Sequence, residues 1–400
     1  MTEEDFLLVS TKIEEEKANL NSVSQEIWKN PELAYQEVHA HDVLTSALSK
    51  YGFAVQRHYV KHTGFKAEYS SETGNGPVLA VLLEYDALPD IDHACGHNLI
   101  AEVGLAASLG IKAAMEADPT LAGKLLVLGS PAEERFGGKL DFIEAGVFEG
   151  VDAALMAHPC NCNVTFPSIL SIIQVNVDFK GKEAHAAAAP WEGCNALDAA
   201  VSAYQSIALL RQQIKPTNRI HAIITKGGVA PNIIPAESRL EMYVRAVTRP
   251  ELDDLVARVT NCINSGALGA GCTASIEMDE KHSYENLISN EVMGNLYDSY
   301  AKKLGIRPTA FPGGSVPPAG STDMGNVSRI VPSIHPMFDI DTKAPNHTKE
   351  FAEASGHPKA QVATLAVAKA LAVTALSLMR CPEILEEVKK KFKSDIQQGL

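Results

Sequence analysis

The segment DHACGHN at residues 92–98 places Cys95 and His97 two positions apart, with the small residues Ala94 and Gly96 beside them. Thiolate and imidazole are ligands that zinc and related divalent ions accept. The spacing is too short for a zinc finger and no second Cys/His pair matches it, so a structural zinc site is not indicated. The motif favours an open, catalytic site in which Ala94 and Gly96 let both side chains close on the same ions.

Other acidic and imidazole side chains come directly after apolar stretches of the chain. They are Glu84 and Asp86 in EYDALP, Glu133 and Glu134 in SPAEE, His158 in MAHP and His347 in APNHTKEF. Adjacent glutamates are usually solvated, and a histidine before proline is usually a loop residue. Here, however, Glu133 and Glu134 follow LLVLGSPA, a sequence typical of a buried strand. The carboxyl ends of parallel strands meet at one edge of a sheet, so we expect these groups to converge there.

Two adjacent carboxylates beside a metal have a definite chemical use. One glutamate can bind the metal while its neighbour accepts a proton from water, whose pKa the cation lowers from about 15.7 towards about 7. Hydrolysis of an unactivated amide then becomes feasible. We interpret Cys160 and Cys162 in HPCNC, and His93, as neighbours of the site and not as ligands.

The elements that must position these residues follow from the hydrophobic periodicity. Helices are predicted over 5–29, 36–51 and 99–116, and buried strands within 76–89, 124–134 and 151–159. Apolar strands that alternate with helices indicate an α/β domain, a doubly wound sheet with helices on both faces. Ligands of such sheets bind at the carboxyl ends of the strands.

The pattern changes between about residues 171 and 285, where the order becomes strand, helix, strand, strand, helix, strand. This βαββαβ order is that of a ferredoxin-like unit. Afterwards the signals of the first part return, and a chain of 400 residues is long enough for two domains. We therefore predict a discontinuous catalytic domain over 1–170 and 286–400, with a ferredoxin-like domain over 171–285 inserted into it.

The composition restricts the classes of binding partner and the cellular compartment that we expect for this protein. The chain has 35 basic and 49 acidic side chains and a formal charge of -14, which argues against nucleic acid or an anionic membrane as partner. Seven scattered cysteines indicate reduced thiols, and MTEEDFLLVSTKIEEEK has no signal-peptide pattern, so we expect a cytoplasmic protein. The apolar stretch 359–379 approaches the length of a membrane span, but Lys359 and Lys369 favour a buried helix that starts near Pro358.

Several motifs together resemble one enzyme family. DALP, HACGHN, PAEE, an Ala-His-Pro strand end, GKEAHAA, NIIP and a C-terminal NHT occur in this order between about residues 22 and 395. They resemble the dinuclear-metal peptidase family of aminoacylase, carboxypeptidase G and peptidase T. Within it, HACGHN, GSTDMGNVS and NHTKEF are most similar to the subgroup that contains aminobenzoyl-glutamate hydrolase, indole-acetyl-amino-acid hydrolases and β-alanyl-lysine (Xaa-Arg) dipeptidase.

The resemblance implies a metallopeptidase or amidohydrolase with two divalent ions, zinc or manganese. Its metal ligands would be Cys95, His97, Glu134, His158 and His347. Glu133 would be the general base for water attack on the amide, and Asp86 would orient a metal ligand through a hydrogen bond. Glu84 stands where the family commonly has a histidine, which leaves its role open.

In the family the ferredoxin-like insert serves as a lid and dimerisation module, so the resemblance implies a homodimer. His185 in GKEAHAAAAP would stabilise the oxyanion in the partner subunit's site. Asn232 and Arg245 would bind substrate, and Arg245 suits a carboxylate through a bidentate contact.

The implied substrate is a dipeptide or an N-acyl amino acid with a basic C-terminal residue, and Asp323 is a candidate for selecting the basic side chain. Two alternatives remain open at this point: hydrolysis of an aryl or specialised-metabolite amide, and a non-catalytic binding paralogue. The complete set of ligands with the base favours the enzyme.

Overall fold

The computed structural model describes residues 2–71 and 76–398. The chain divides into a large unit, residues 1–168, 287–317 and 322–400, and a small unit, residues 169–286 and 318–321. Each unit has its own hydrophobic core.

The large unit contains nine of the α-helices within the described residues. They are α1 (Glu3–Lys29), α2 (Val38–Lys50), α3 (His97–Ala117), α4 (Gly138–Glu144), α7 (Glu291–Lys303), α8 (Met324–Ser328), α9 (Lys349–Ser355), α10 (Pro358–Arg380) and α11 (Pro382–Gln397). Its strands are β1 (Ala54–Arg57), β2 (Phe65–Ser70), β3 (Val78–Leu83), β4 (Lys124–Gly129), β5 (Ala153–Leu155), β6 (His158–Cys160), β11 (Ser333–Ile334) and β12 (Met337–Asp339). Their numbers follow chain order, so the missing numbers belong to the small unit.

The main sheet of the large unit has the strand order β1-β2-β4-β3-β5-β11. The strands β4, β3, β5 and β11 are parallel, while β2 and β1 add an antiparallel edge. VLAVLL of β3 and KLLVLG of β4 are almost wholly buried, as continuous apolar strands between two layers of helices should be. The short strands β6 and β12 form a separate parallel pair.

Two helices, α3 and α10, are long and apolar enough to cross a membrane by length and composition. Most of each lies inside the large unit, where both helices pack against each other and α1. Their apolar sequence is thus accounted for by the core. As predicted, α10 begins at Pro358, whose missing N–H costs nothing in the first turn of a helix.

The small unit consists of β7 (Ser171–Lys180), α5 (Ala196–Leu210), β8 (Arg219–Lys226), β9 (Glu237–Ala246), α6 (Arg249–Gly269) and β10 (Thr273–Met278). Its four strands form an antiparallel sheet in the order β10-β7-β9-β8. β7 and β9 alternate buried and half-exposed residues, and the buried ones pack with α5 and α6. This is the ferredoxin-like arrangement that the sequence predicted.

Candidate metal centre

The candidate ligands of the large unit lie at the carboxyl ends of its parallel strands. β3 ends at Leu83, so Glu84 and Asp86 follow it directly. Glu133 and Glu134 follow β4 in the same way, and His158 follows β5 by three residues. Because these strands are parallel and adjacent, their polar ends share one edge of the sheet.

A tight turn brings the HACGH motif to the same edge. Gly96 has a φ of +79°, and a Cβ atom there would lie 2.7 Å from Cγ of Pro159. Only glycine fits both the backbone conformation and the close approach. His97 is then the first residue of α3, directly beside Cys95.

Asp86 fixes the orientation of two candidate ligands. Its Oδ1 lies 2.8 Å from Nδ1 of His97, and its Oδ2 accepts a hydrogen bond of 3.0 Å from the backbone N–H of Glu134. With its Nδ1 held by a carboxylate, the His97 ring offers Nε2 to the site, and that buried nitrogen has no hydrogen-bond partner. A metal-binding histidine is commonly held in this way.

The five predicted ligands fall into two groups that share Cys95. The first is Cys95, His97 and His158, and the second is Cys95, Glu134 and His347. Within each group the donor atoms lie within 4.8 Å of one another.

Individual distances describe the same cluster. Sγ of Cys95 is 3.4 Å from Nε2 of His158, and Oε1 of Glu134 is 3.5 Å from Nε2 of His347 and 3.7 Å from Nε2 of His97. Oε1 of Glu134 is buried and forms no hydrogen bond. Sulfur, nitrogen and oxygen donors that converge in this way fit a pair of divalent ions.

His347, the candidate metal ligand nearest the C-terminus, has an unusual backbone conformation that hydrogen bonds hold in place. His347 has a φ of +65°, and its N–H donates to the carbonyl of Ala94 at 2.8 Å. The side chain of the preceding Asn346 donates to the carbonyls of Cys95 and Pro159. These bonds tie the NHT segment to two other ligand-bearing loops, while the His347 ring itself remains exposed.

Burial and mutual repulsion govern the charges in the cluster. Burial, together with the charges of Glu84 and Glu134, raises the pKa of Glu133 well above its usual value. Burial also opposes ionisation of Glu134, but the neighbouring rings of His347 and His97 outweigh it and lower the pKa of Glu134. The two adjacent glutamates thus differ in acidity, as a base and a ligand should.

The role of Glu84 follows from a buried ion cluster that the sequence did not reveal. Nζ of Lys139 lies 2.6 Å from Oδ1 of Asp323 and is also bonded to Oε1 of Glu84. All three side chains have no exposed surface. Oε2 of Glu84 lies 3.6 Å from Nε2 of His97, so this buried ion cluster borders the metal ligands.

Asp323 is therefore not available to a basic substrate side chain, and its assignment as a selectivity residue was wrong. Its carboxylate also accepts the backbone N–H of Lys139 at 3.0 Å. A sequence motif does not show whether an acidic side chain is buried against a lysine.

The small unit carries the other three candidate residues. His185 is exposed, and its Nδ1 accepts the backbone N–H groups of Ala187 and Ala188 at 3.2 Å each. The neutral ring must then carry its proton on Nε2. Asn232 lies on the adjacent loop, where its carbonyl accepts the N–H of Ala186 at 3.1 Å.

Arg245 lies on β9 and has no acidic partner within the small unit as described. Its Nη1 donates to Oγ of Ser321 at 3.1 Å, and its Nε donates to Nε2 of His221 at 3.3 Å. Burial lowers the pKa of Arg245 from its usual value, and no carboxylate of the described residues pairs with it. It is thus a partly buried cation that can accept an anionic group.

Comparisons with known proteins place the chain in a family. The family described as "Peptidase dimerisation domain" matches residues 169–270. The crystal structure of a dinuclear metal binding peptidase from the M20 family of Bacillus subtilis has a TM-score of 0.66 at 20% identity and covers 88% of this chain and 97% of that chain. The Xaa-Arg dipeptidases of Mus musculus and Homo sapiens are 48% and 46% identical, covering 97% and 96% of this chain and 92% and 91% of theirs. The chain belongs to the M20 family of peptidases.

As an M20 peptidase the protein is a hydrolase, and the predicted family and fold class are both confirmed. The roles assigned to individual residues of this M20 peptidase stay predictions, although the large unit brings its five candidate ligands, Asp86 and Glu133 together. His335 is a neighbour that the sequence reasoning missed. Its ring stacks on that of His158 with centroids 5.6 Å apart, and the repeated His-Pro after an apolar strand could have indicated it.

Proposed function

We propose that this M20 peptidase hydrolyses dipeptides or N-acyl amino acids that end in a basic residue. The observation that carries the proposal is the pair of donor groups sharing Cys95, with Glu133 beside them. The name of its similar relatives, Xaa-Arg dipeptidase, supports a basic C-terminal residue as the leaving amino acid.

Cys95, His97, Glu134, His158 and His347 would hold two divalent ions, zinc or manganese. When bound, these ions supply Lewis-acid activation of water and of the amide carbonyl. The buried, unpartnered Nε2 of His97 and Oε1 of Glu134 support this assignment, because a buried polar atom without a partner otherwise destabilises the fold.

Glu133 acts as the general base and then as the general acid. Its Oε2 lies 4.0 Å from Nε2 of His97, within the ligand cluster. It accepts the proton of the attacking water as the new C–O bond forms. It then donates that proton to the amide nitrogen as the C–N bond breaks, which leaves a carboxylic acid and an amine, and the proton of the acid passes on to the amine.

The small unit contributes the groups that bind substrate and stabilise charge. The Nε2–H of His185 would donate to the oxyanion, Arg245 would pair with the substrate's C-terminal carboxylate, and Asn232 would also bind substrate. We propose that His185 acts in the partner subunit of a homodimer, supported by the dimerisation-domain match and by the exposed Ile223 and Ile224 on the edge strand β8. We also propose a cytoplasmic enzyme, and its free cysteines support this location.

A substrate panel tests the proposal. The protein loaded with zinc or with manganese is incubated with Xaa-Arg, Xaa-Lys, β-alanyl, N-acyl and aminobenzoyl substrates, and released amine is measured. We expect metal-dependent cleavage of the peptides with basic C-terminal residues. Cleavage of the aminobenzoyl substrates alone would indicate an aryl amidase, and no cleavage at all would indicate a binding paralogue.

The matched variant is Glu133→Gln, which keeps the shape of the side chain and removes the base. We expect it to retain metal and to lose about 10²-fold to 10⁴-fold in kcat, the usual contribution of a general base. Equal rates for this variant and the unaltered protein would show that Glu133 is not the base.

A further inference from the structure

The loop that carries Glu133 contains a strained residue directly before it. We call residues 130–137 the catalytic loop. Ala132 has a φ of +60°, a left-handed conformation that non-glycine residues adopt rarely and at an energetic cost. Such a conformation persists only where its surroundings hold it.

Hydrogen bonds hold Ala132 on both sides of its Cα atom. Its carbonyl accepts the N–H groups of Phe136 at 3.1 Å and Gly137 at 2.8 Å, inside the loop. Its own N–H donates to Oε1 of Glu37 at 2.8 Å, which is the bond that reaches outside the loop. Glu37 thus fixes the peptide group that immediately precedes Ala132, one residue before Glu133.

Glu37 is itself held firmly. It is fully buried, at 0% exposure, and its Oε2 accepts the hydroxyl of Thr63 at 2.7 Å. The carbonyl of Thr63 in turn accepts the hydroxyl of Tyr85 at 2.6 Å and lies 3.1 Å from Nδ1 of His41. Both carboxylate oxygens are therefore bonded, and the anchor has little freedom to move.

The same short segment supports the second loop of the site. The carbonyl of Glu32 accepts the N–H of Ala87 at 2.8 Å, directly after Asp86. The ring of Tyr35 stacks on that of Phe136 in the catalytic loop, with centroids 5.4 Å apart. Residues 31–37, PELAYQE, thus contact both the loop that bears Asp86 and the loop that bears Glu133.

We propose that Glu37 is a positioning residue, which sets the placement of Glu133 through its hydrogen bond to the N–H of Ala132. This inference rests on the proposed function, because it takes Glu133 to be the base. Among the described residues, the carboxylate of Glu37 bonds to Ala132 and Thr63 and to none of the candidate metal ligands.

The first test compares two substitutions of Glu37 with a matched control. Glu37→Ala removes the bond to Ala132, and we expect kcat to fall about 10-fold to 100-fold with little change in KM, the cost of misplacing a catalytic group by about 1 Å. Glu37→Gln keeps an acceptor oxygen and should restore most of the rate. Burial and the charge of Asp86 raise the pKa of Glu37 to about 7, so a neutral amide is well tolerated there.

Glu102 is the control, because it is also fully buried and accepts a hydrogen bond from Gln361 at 3.2 Å, away from the catalytic loop. Glu102→Ala should leave kcat unchanged at a temperature where the variant is folded. An equal loss of kcat in Glu102→Ala and Glu37→Ala would overturn the proposal, because loss of any buried carboxylate would then explain the effect.

Hydrogen exchange gives a readout that does not depend on activity. The amide proton of Ala132 should exchange faster in Glu37→Ala than in the unaltered protein, measured by mass spectrometry on peptides covering residues 130–137. Unchanged exchange would overturn the proposal. Thr63→Val removes only the hydroxyl that holds Glu37 and should show a smaller change in the same direction, so the test stands if Glu37→Ala does not fold.

A double-mutant cycle separates this inference from the proposed function. In a Glu133→Gln background, Glu37→Ala should cost less than about twofold in kcat, because two residues that act as a unit are not additive. Full additivity would overturn the role of Glu37 alone. A Glu133→Gln variant with unaltered kcat would instead overturn the base assignment, while the exchange measurement would still report on Glu37.

Discussion

The two units hold their candidate residues in opposite ways. In the large unit, Asp86, His97 and Glu133 are buried, and Asp86 binds the ring of His97 and the backbone N–H of Glu134. In the small unit, His185 is exposed, and Arg245 is held by one serine and one histidine without a carboxylate. The residues of the large unit are held at fixed positions. Those of the small unit are able to bind an added molecule.

This difference reflects where each set obtains its stabilisation. Buried charges are costly unless they are paired, so the large unit supplies Lys139 to Glu84 and Asp323 and leaves unpartnered donors for metal ions. The exposed His185 carries little such cost, and Arg245 is only partly buried. These residues can bind a substrate or a second subunit, but they are positioned less firmly in the free protein.

The largest expected effect follows from removing a donor of the large unit. His97→Ala should lower bound metal and reduce hydrolysis by about 10³-fold or more, because activation of water, whose pKa falls from 15.7 to about 7 beside a metal, is lost. His185→Ala should keep its full metal content. Metal per protomer is measured by inductively coupled plasma mass spectrometry after dialysis, beside the rate. Full metal in His97→Ala would contradict the assignment of this residue.

The second effect concerns the stability of the two units. Lys139→Met leaves Glu84 and Asp323 buried without their cation and should lower the free energy of unfolding by about 3–5 kcal/mol. Lys226→Met breaks an exposed pair with Glu237 in the small unit and should change it little. Urea denaturation measures both. Similar curves for the two variants would mean that the buried ion cluster does not stabilise the large unit as its burial suggests.

The sequence predicted those residues of the site that have a recognisable pattern in the chain around them. Cys95, Glu134 and His158 each follow or join an apolar stretch, and the parallel sheet then brings them together. Lys139 has no such pattern. The segment GGKLD is typical of the start of a helix, and no neighbouring residue indicates that the lysine is buried. The strands β1 and β2 were missed for a related reason, since β1 is short and largely exposed and lacks a buried apolar run.

The third effect tests whether an exposed residue of the small unit can be catalytic. His185→Ala should lower kcat by about 10²-fold to 10³-fold, the usual cost of losing one oxyanion donor. His282→Ala is the control, because this half-buried histidine of the same unit is bound to Asp279 at 2.9 Å.

Mixing tests whether His185 acts across a dimer. His185→Ala and Glu133→Gln proteins are combined under conditions that exchange subunits, and mixed dimers are verified by native mass spectrometry. If His185 serves the partner's site, one site of each mixed dimer is intact and activity partly returns. Verified mixed dimers without recovery would show that the histidine does not act in trans.

The smallest expected effect concerns recognition of the substrate by Arg245. Arg245→Lys keeps the charge but loses the planar fork that binds a carboxylate in two places, so KM should rise about 10-fold while kcat changes little. Arg239→Lys, on the same strand but paired with Asp178 and Glu241, should leave KM unchanged. The decisive comparison is a dipeptide with a free C-terminal carboxylate against its C-terminal amide. The unaltered protein should prefer the acid, and Arg245→Ala should lose that preference. If Arg245→Ala still discriminates between the two, the carboxylate is bound elsewhere, and the unpaired charge of Arg245 is only a feature of the free small unit.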